Sequence, residues 1–452
     1  MLKAQGKDFV DHGQKIVLTG FNFCGWMQME NFQIGFPGVE QQFRGYLAQY
    51  AGRDKAEHFF DRFLTQYVQE ADIAFIKAMG CNHVRLNINY RHFESDQAPM
   101  QFKAEGFRHL DRVLELLAKY GMYGILEIHG AQGYQNPDWH SDNATNKVGL
   151  FQNQFYQQRL IALWRFIAEH YKDNAAVGGY EIMNEPWAEA DEIDTLVDIC
   201  KQATAAIRQV DKEHIVFIEA NLFGKTYEGF PEPWDDNMAC SVHQYPYPSL
   251  NMFCYPALNE GGSVFYNKDY IAYEMDIRDG YGKKYNLPVW MSEFGIVHND
   301  DFREDKLRLL EDQLAVMDER GHSWALCCYK DVGNMGVVRL DPNSAWMQFV
   351  KESNALKLKY HTDFDPLASG SWEMMDVVKH LFRADFTPGS GEVEARLHRH
   401  LAVFFGEELC MRLCKRLAQL SLDELDTLMD SFKFENCLVR EDWKAILTAH
   451  TK

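Results

Sequence analysis

The 452-residue chain carries a formal charge of −20 at pH 7, with 46% hydrophobic and 14% aromatic residues. That charge argues against non-specific attraction to nucleic acid or to an anionic membrane surface. The hydrophobic content is enough for one large core plus an appendage, and no apolar stretch reaches the length of a membrane span.

In chain order, eight short apolar runs predict buried strands at 16–23, 83–87, 124–128, 179–183, 215–219, 239–243, 289–292 and 324–329. Amphipathic stretches between them predict helices, including 107–120, 155–171, 193–210, 270–285 and 306–320. This alternation belongs to the α/β class, and eight βα repeats predict a closed (β/α)8 TIM barrel with its functional groups at the strand C-terminal ends. An open doubly wound sheet is the alternative, but no GxGxxG follows an early strand.

The first βα connection, residues 26–53, is long and aromatic, with Trp26, Phe32, Phe36, Phe43, Tyr46 and Tyr50. Loops of that length are often functional. Trp26 is the candidate for a wall of a substrate cleft, while the other aromatics read as a loop packing on itself.

The barrel is expected over residues 1–358, and a mostly helical C-terminal extension packed on it over 359–452. Within the extension, 363–370 reads as a connection. Leu397, Leu401, Phe405, Leu409, Leu413 and Leu417 then recur every fourth residue, and Ser421-Leu422-Asp423-Glu424 fits a capping box. Such a stripe is expected to pack on its own barrel. A self-complementary stripe would also allow a homo-oligomer, and the extension could border the cleft.

The N-terminus, Met1-Leu2-Lys3-Ala4-Gln5-Gly6, has no apolar core of the kind found in secretory signals. The ten cysteines show no CxxC and no Cys/His grouping with zinc spacing. The expectation is a cytoplasmic protein with reduced, buried thiols and no metal or other cofactor.

Two stretches carry the chemistry: Glu181-Ile182-Met183-Asn184-Glu185-Pro186 and Trp290-Met291-Ser292-Glu293-Phe294-Gly295. Each presents a glutamate where a buried strand ends. Two carboxyls brought separately to one rim suit cleavage of a glycosidic bond, one as acid and the other as nucleophile or base. Other polar residues at predicted strand ends are Arg85, Asn87, His129, Asn184, His243, Tyr245 and Tyr329. Arg85 is the nearest plausible cation to keep Glu293 ionised.

Six segments recur in one family order: Leu18-Thr19-Gly20-Phe21-Asn22, Val84-Arg85-Leu86-Asn87, Ile128-His129-Gly130, Asn184-Glu185-Pro186, Val242-His243-Gln244-Tyr245 and Ser292-Glu293-Phe294-Gly295. On these the chain resembles glycoside hydrolase family 5, a retaining family on a TIM barrel, over roughly residues 6–350. The resemblance implies Glu185 as general acid/base and Glu293 as nucleophile. It implies that Tyr245 hydrogen-bonds the nucleophile, that Asn184 contacts the sugar 2-hydroxyl, and that His129 and His243 line the site of the cleaved sugar.

One departure concerns the eighth strand, where members commonly place a tryptophan platform. Here Cys327 or Cys328 takes that position, leaving Tyr329 or an aromatic from another loop as the candidate substitute. The implied partner is a small carbohydrate, and the implied activity is retaining glycoside hydrolysis. With no secretory signal expected, a cytosolic enzyme would meet only short imported sugars, so the expectation is an exo-β-glycosidase on short β-linked oligosaccharides. Overall length, the lack of a leader and the helical tail look like the compact β-mannosidase branch. The expected substrates are therefore β-mannosides, such as mannose β-1,4-linked to N-acetylglucosamine or to mannose, with β-glucosides next. An endo-β-1,4-glucanase or endo-mannanase is the alternative, and a non-catalytic carbohydrate-binding barrel is the alternative of another class.

Overall fold

The computed structural model describes residues 1–251, 254–259, 261–362, 377, 380 and 391–451. Eight parallel strands close a barrel: β1 (Thr19–Asn22), β2 (His83–Asn89), β3 (Tyr123–Gly130), β4 (Val177–Glu181), β5 (Ile215–Glu219), β6 (Met238–Gln244), β7 (Val289–Phe294) and β8 (Ser323–Leu326). Each pairs with the next in sequence, and β8 returns to β1 with Trp324 opposite Thr19 and Leu326 opposite Phe21. The helices predicted between them form as Phe107–Lys119, Gln154–Tyr171, Ile193–Arg208, Lys268–Tyr285 and Arg303–Arg320. The architecture is the (β/α)8 barrel that the alternation implied.

Strand β2 shows how the sequence sorts inside from outside. Its residues alternate between polar His83, Arg85, Asn87 and Asn89 and apolar Val84, Leu86 and Ile88, all of them buried. Period two sends the first set into the barrel and the second toward the helices.

The predicted run 16–23 joins two elements. Gln14–Ile16 closes an antiparallel three-stranded sheet with Lys3–Gln5 and Asp8–Asp11, and β1 begins only at Thr19. Leu2, Phe9 and Leu18 from this segment pack with Ile125, Phe217, Trp290 and Ala325, plugging the barrel at the N-terminal ends of its strands. This apolar plug leaves the opposite end for polar chemistry.

The first βα connection folds into helices Asn31–Ile34 and Glu40–Ala51, followed by Arg53–Tyr67. Phe36 stacks on Phe43 at 4.8 Å, and Phe43 meets Phe59 and Phe60 edge-on. Trp26 corrects the sequence expectation. It is fully buried, and its indole N–H donates to the Leu64 carbonyl at 2.9 Å. Leu64 lies in the last turn of its helix, where carbonyls lack intrahelical partners. A buried indole must satisfy its one donor, and it does so on the scaffold rather than on a ligand.

The C-terminal segment is built into the same core. Helix Gly391–Leu417 packs on Glu40–Ala51, and Leu422–Asp430 packs on Arg53–Tyr67. Strand Cys437–Val439 pairs antiparallel with Val338–Leu340. Leu409, Leu413 and Leu417 are buried, while Leu397, Leu401 and Phe405 are half-buried. The stripe is therefore covered largely by the chain itself. The predicted capping box forms, with Ser421 Oγ accepting from the Glu424 N–H at 3.2 Å and Glu424 Oε2 accepting from the Ser421 N–H at 2.7 Å. The expected connection at 363–370 lies outside the described residues. Among the described residues, no helix is long and apolar enough to cross a membrane.

Because Leu413 is fully buried, Leu413→Ala should destabilise the protein by about 2–5 kcal/mol. Chemical denaturation of the full chain measures this, and an unchanged midpoint would mean that the extension is not part of the cooperative core.

Candidate active site

A single buried guanidinium organises the barrel interior. Arg85 of β2 donates through Nε to Glu181 Oε2 at 2.6 Å, through Nη1 to Glu293 Oε1 at 2.5 Å, and through Nη2 to Asn184 Oδ1 at 2.9 Å. Nη1 also reaches Asn22 Oδ1 at 3.2 Å, and Nη2 reaches Glu219 Oε2 at 3.5 Å. One cation thus faces several carboxyls with no solvent to screen them. Burial pushes Glu181 up to about 7 despite Arg85, and raises Glu219 well above the usual range with the Glu181 charge adding to it. Protonating part of this cluster is how a desolvated excess of negative charge is relieved.

Glu293 reaches this network through a register shift. Between Met291 and Glu293, β7 gains a residue on β6, so that Met291 stands opposite Val242 but Glu293 stands opposite His243. Strict alternation would send Glu293 outward beside Met291. The bulge turns it inward, a usual role for bulges at functional sites. Arg85 holds Oε1 from below, and the Tyr245 hydroxyl donates to Oε2 at 2.9 Å. Burial raises the Glu293 carboxyl, but its cationic surroundings, with Arg85 in direct contact, outweigh burial and the group is held below its ordinary value. Burial holds His243 itself at about 3, so it is neutral near pH 7. The standing positive charge beside Glu293 is therefore Arg85.

Glu185 lies four residues beyond β4 with φ of +45°, a left-handed backbone that a non-glycine residue rarely adopts. Two hydrogen bonds fix it: its N–H donates to Glu219 Oε1 at 2.9 Å, and its carbonyl accepts from Asn136 Nδ2 at 3.0 Å. Strain held in this way concentrates at functional sites. Oε1 lies 2.8 Å from His243 Nδ1, and Oε2 lies 3.3 Å from His140 Nδ1. Burial raises the Glu185 carboxyl, and His140, His129 and Arg85 only partly offset it. One oxygen of Glu185, one of Glu293 and a ring nitrogen of His243 lie within 4.8 Å of one another. Such a set could share a cation, and it is equally a carboxyl pair with displaced pKa values.

A cavity of about 580 Å³ opens above this pair. Of the residues expected from sequence, Glu185, Glu293, His129, His243 and Tyr245 line it. Arg85 and Asn184 lie fully buried beneath. Asn184 Oδ1 is taken by Arg85, and its Nδ2 lies 3.4 Å from His129 Nε2. Glu127 and Glu30 flank His129 at 3.1 and 3.5 Å and raise its pKa well above the usual value despite burial.

Tyr329 is a correction. Its ring packs on Phe21 and Phe23, and its hydroxyl donates to Asp72 Oδ1 at 3.0 Å. Asp72 also pairs with Lys330 Nζ at 2.6 Å, so the phenol completes a buried scaffold network. Cys327 instead faces the cavity, with its Sγ 3.3 Å from that of Cys24.

Sequence reasoning missed Glu30, Trp139 and His140, and it assigned Phe32 only to packing. Phe32 lines the cavity edge-on to Trp139 at 5.3 Å. These residues sit on long connections, where periodicity says nothing about direction. The interior carboxyls did leave a signal: Glu127 breaks the apolar run of β3, and Glu181 and Glu219 end the buried strands β4 and β5. The C-terminal helix supplies His398, Arg399, Ala402 and Val403 to one wall. Arg399 Nε donates to Asp138 Oδ1 at 2.5 Å, which ties that wall to the segment carrying Trp139 and His140.

Residues 37–333 match the family model described as Cellulase (glycosyl hydrolase family 5). A beta-xylosidase of Phanerodontia chrysosporium is 35% identical, over 99% of this chain and 97% of that protein. Endoglucanase C of Acetivibrio thermocellus is 25% identical, over 63% of this chain and 89% of its own. The crystal structure of an endogalactoceramidase superposes with a TM-score of 0.54 at 17% identity, covering 73% of this chain and 75% of that one, a likeness of fold alone. With the family pattern matched across the barrel and a relative aligned over nearly its whole length, the chain belongs to glycosyl hydrolase family 5 and is a glycoside hydrolase.

Proposed function

We propose that the protein is a retaining exo-β-glycosidase that removes single sugars from short β-linked oligosaccharides. The observation that carries this reading is the carboxyl pair, with oxygens within 4.8 Å, Glu185 raised and Glu293 lowered. Retaining enzymes hold their carboxyls about 5–5.5 Å apart and inverting ones about 6.5–9.5 Å.

In the first step a Glu293 oxygen attacks the anomeric carbon. The bond to the glycosidic oxygen breaks, and Glu185 gives that oxygen its proton. In the second step Glu185, now ionised, takes a proton from water. The water oxygen attacks the same carbon, and the bond to Glu293 breaks. Arg85 and Tyr245 hold Glu293 toward its ionised form and orient it, while burial shifts Glu185 toward its protonated form.

Exo action is supported by the C-terminal helix, which walls one side of the cavity and is latched by Arg399 to Asp138. An open groove would leave room for a polymer to continue on both sides of the carboxyls. A β-xyloside is the favoured substrate. The relative aligned over 99% of this chain is named a beta-xylosidase, so chain length and the helical tail do not single out the β-mannosides expected from sequence. The apolar cluster of Phe32, Cys327, Met335 and Leu250 along the cavity suits a pyranose with no hydroxymethyl group to satisfy. A reducing, cytoplasmic compartment is consistent with ten free cysteines.

Rates on xylobiose, mannobiose, mannosyl-β-1,4-N-acetylglucosamine and cellobiose, beside polymeric xylan and mannan, test the substrate. Xylobiose should be cleaved fastest with the polymers untouched, and mixed oligomers released from polymer would defeat the exo reading. A 2-deoxy-2-fluoro glycoside of the preferred sugar should add one glycosyl mass at Glu293; labelling elsewhere would overturn the mechanism.

The acid must be protonated and the nucleophile ionised. Activity should therefore fall as pH drops through the depressed Glu293 value and as it rises through the elevated Glu185 value. Because His140 pulls the Glu185 carboxyl down, His140→Ala should move the alkaline limb of kcat/KM to higher pH and leave the acid limb in place. Glu185→Gln should slow disaccharide hydrolysis by about 10²–10⁴-fold, with a smaller loss on aryl glycosides whose leaving groups need little protonation.

A further inference from the structure

On the wall of the cavity, helix Lys268–Tyr285 presents Glu274 and Arg278 one turn apart. Neither belongs to the carboxyl pair, and both are incompletely satisfied. Arg278 is 5% exposed; its Nε donates to the His243 carbonyl and its Nη1 to the Glu274 carbonyl at 2.9 Å. Its Nη2 has no partner among the described residues. Glu274 Oε1 accepts only a long bond from the Tyr270 hydroxyl at 3.4 Å and stands 3.9 Å from Arg278 Nη1. Glu274 Oε2 is buried and has no partner among the described residues.

A carboxylate and a guanidinium this buried are normally paired closely, because an unsatisfied charged group is costly. Here the ion pair is long, at 3.9 Å, and sits at the edge of a space that admits a ligand. Their place relative to the chemistry is read through His243: Arg278 grips its carbonyl, and its imidazole lies nearer Glu185 Oε1, at 2.8 Å, than Glu293 Oε2, at 3.7 Å. Glu185 is the group that would hand a proton to the departing oxygen, so whatever occupies its flank belongs to the leaving side. Phe223 also lines the cavity, 5.8 Å from the His140 ring that contacts Glu185, and offers an apolar face there.

We propose that Glu274 and Arg278 form the binding site for the leaving sugar, Glu274 accepting from and Arg278 donating to hydroxyls of a second pyranose. This rests on the glycosidase reading above and specifies its substrate: an oligosaccharide whose leaving portion is itself a sugar, rather than an alkyl or aryl glycoside. The two unsatisfied groups are then completed by the substrate. A leaving group without hydroxyls leaves them unmet, the situation in which polar sites discriminate most strongly.

The test compares Glu274→Gln and Arg278→Lys with wild type on the disaccharide and on the aryl glycoside of the same sugar. The disaccharide kcat/KM should fall about 10- to 100-fold, the scale of one hydrogen bond to a charged group, with a several-fold smaller loss on the aryl glycoside. Equal losses on both substrates would assign the pair a structural role and overturn the proposal, as would no loss on either. Wild-type enzyme supplies a check that needs no variant at these positions: a cyclohexyl glycoside should be a poorer substrate than the disaccharide by a similar factor. Calorimetry in the Glu293→Gln background separates the two readings, because disaccharide binding that weakens on adding Glu274→Gln supports this site whether or not wild type turns over. Binding unaffected by Glu274→Gln would refute it.

Discussion

The ion cluster around Arg85 is the constraint on which the rest of the site depends. A guanidinium with no solvent exposure is tolerable only if its donors are nearly all engaged, and here they reach Glu181, Glu293, Asn184, Asn22 and Glu219. The planar fork is why an arginine rather than a lysine can do this, since one group must hold partners from several strands at fixed angles. Removing it would leave uncompensated carboxyls in the barrel, so the charge is at once a structural keystone and the source of Glu293's ionisation. The apolar plug of Leu2, Phe9, Trp290 and their neighbours completes the arrangement by keeping water out from below.

From that cluster follows the division of labour between two chemically identical side chains. Glu293 sits on the cation and beside a phenolic donor; Glu185 sits one step removed, with neutral His243 against one oxygen and His140 against the other. Burial raises both carboxyls, and proximity to Arg85 decides which is brought back down. In the mechanism proposed above, environments that push paired carboxyls apart in this way set Glu185 as acid and Glu293 as nucleophile without any difference in residue type.

Much of the cavity wall comes from outside the barrel strands. The walls of the cavity are made by the first βα connection, the segment carrying Trp139 and His140, and the C-terminal helix. Their cross-ties, such as Arg399 to Asp138 and Phe32 to Trp139, join parts of the chain far apart in sequence. This matches the general behaviour of barrel enzymes, in which a constant strand framework presents the reacting groups and variable connections choose the substrate.

The sequence alone determined the barrel, because period-two alternation and strand–helix spacing are local properties that each segment carries by itself. It also determined the two glutamates and most of the polar groups around them, since residues at strand ends inherit their position from the strand. Residues 26 and 329 show where that logic fails. Trp26 and Tyr329 look cleft-facing by their place in the chain, yet each turned to a distant partner, Leu64 and Asp72, that no local pattern identifies. Only the tertiary structure decided the inward turn of Glu293, which depends on the pairing of β6 with β7. Only it brought the C-terminal helix, His140 and the Glu274–Arg278 pair to the cavity. Those outcomes depend on which surfaces meet across hundreds of residues, and side-chain burial and charge pairing are settled there rather than in the local sequence.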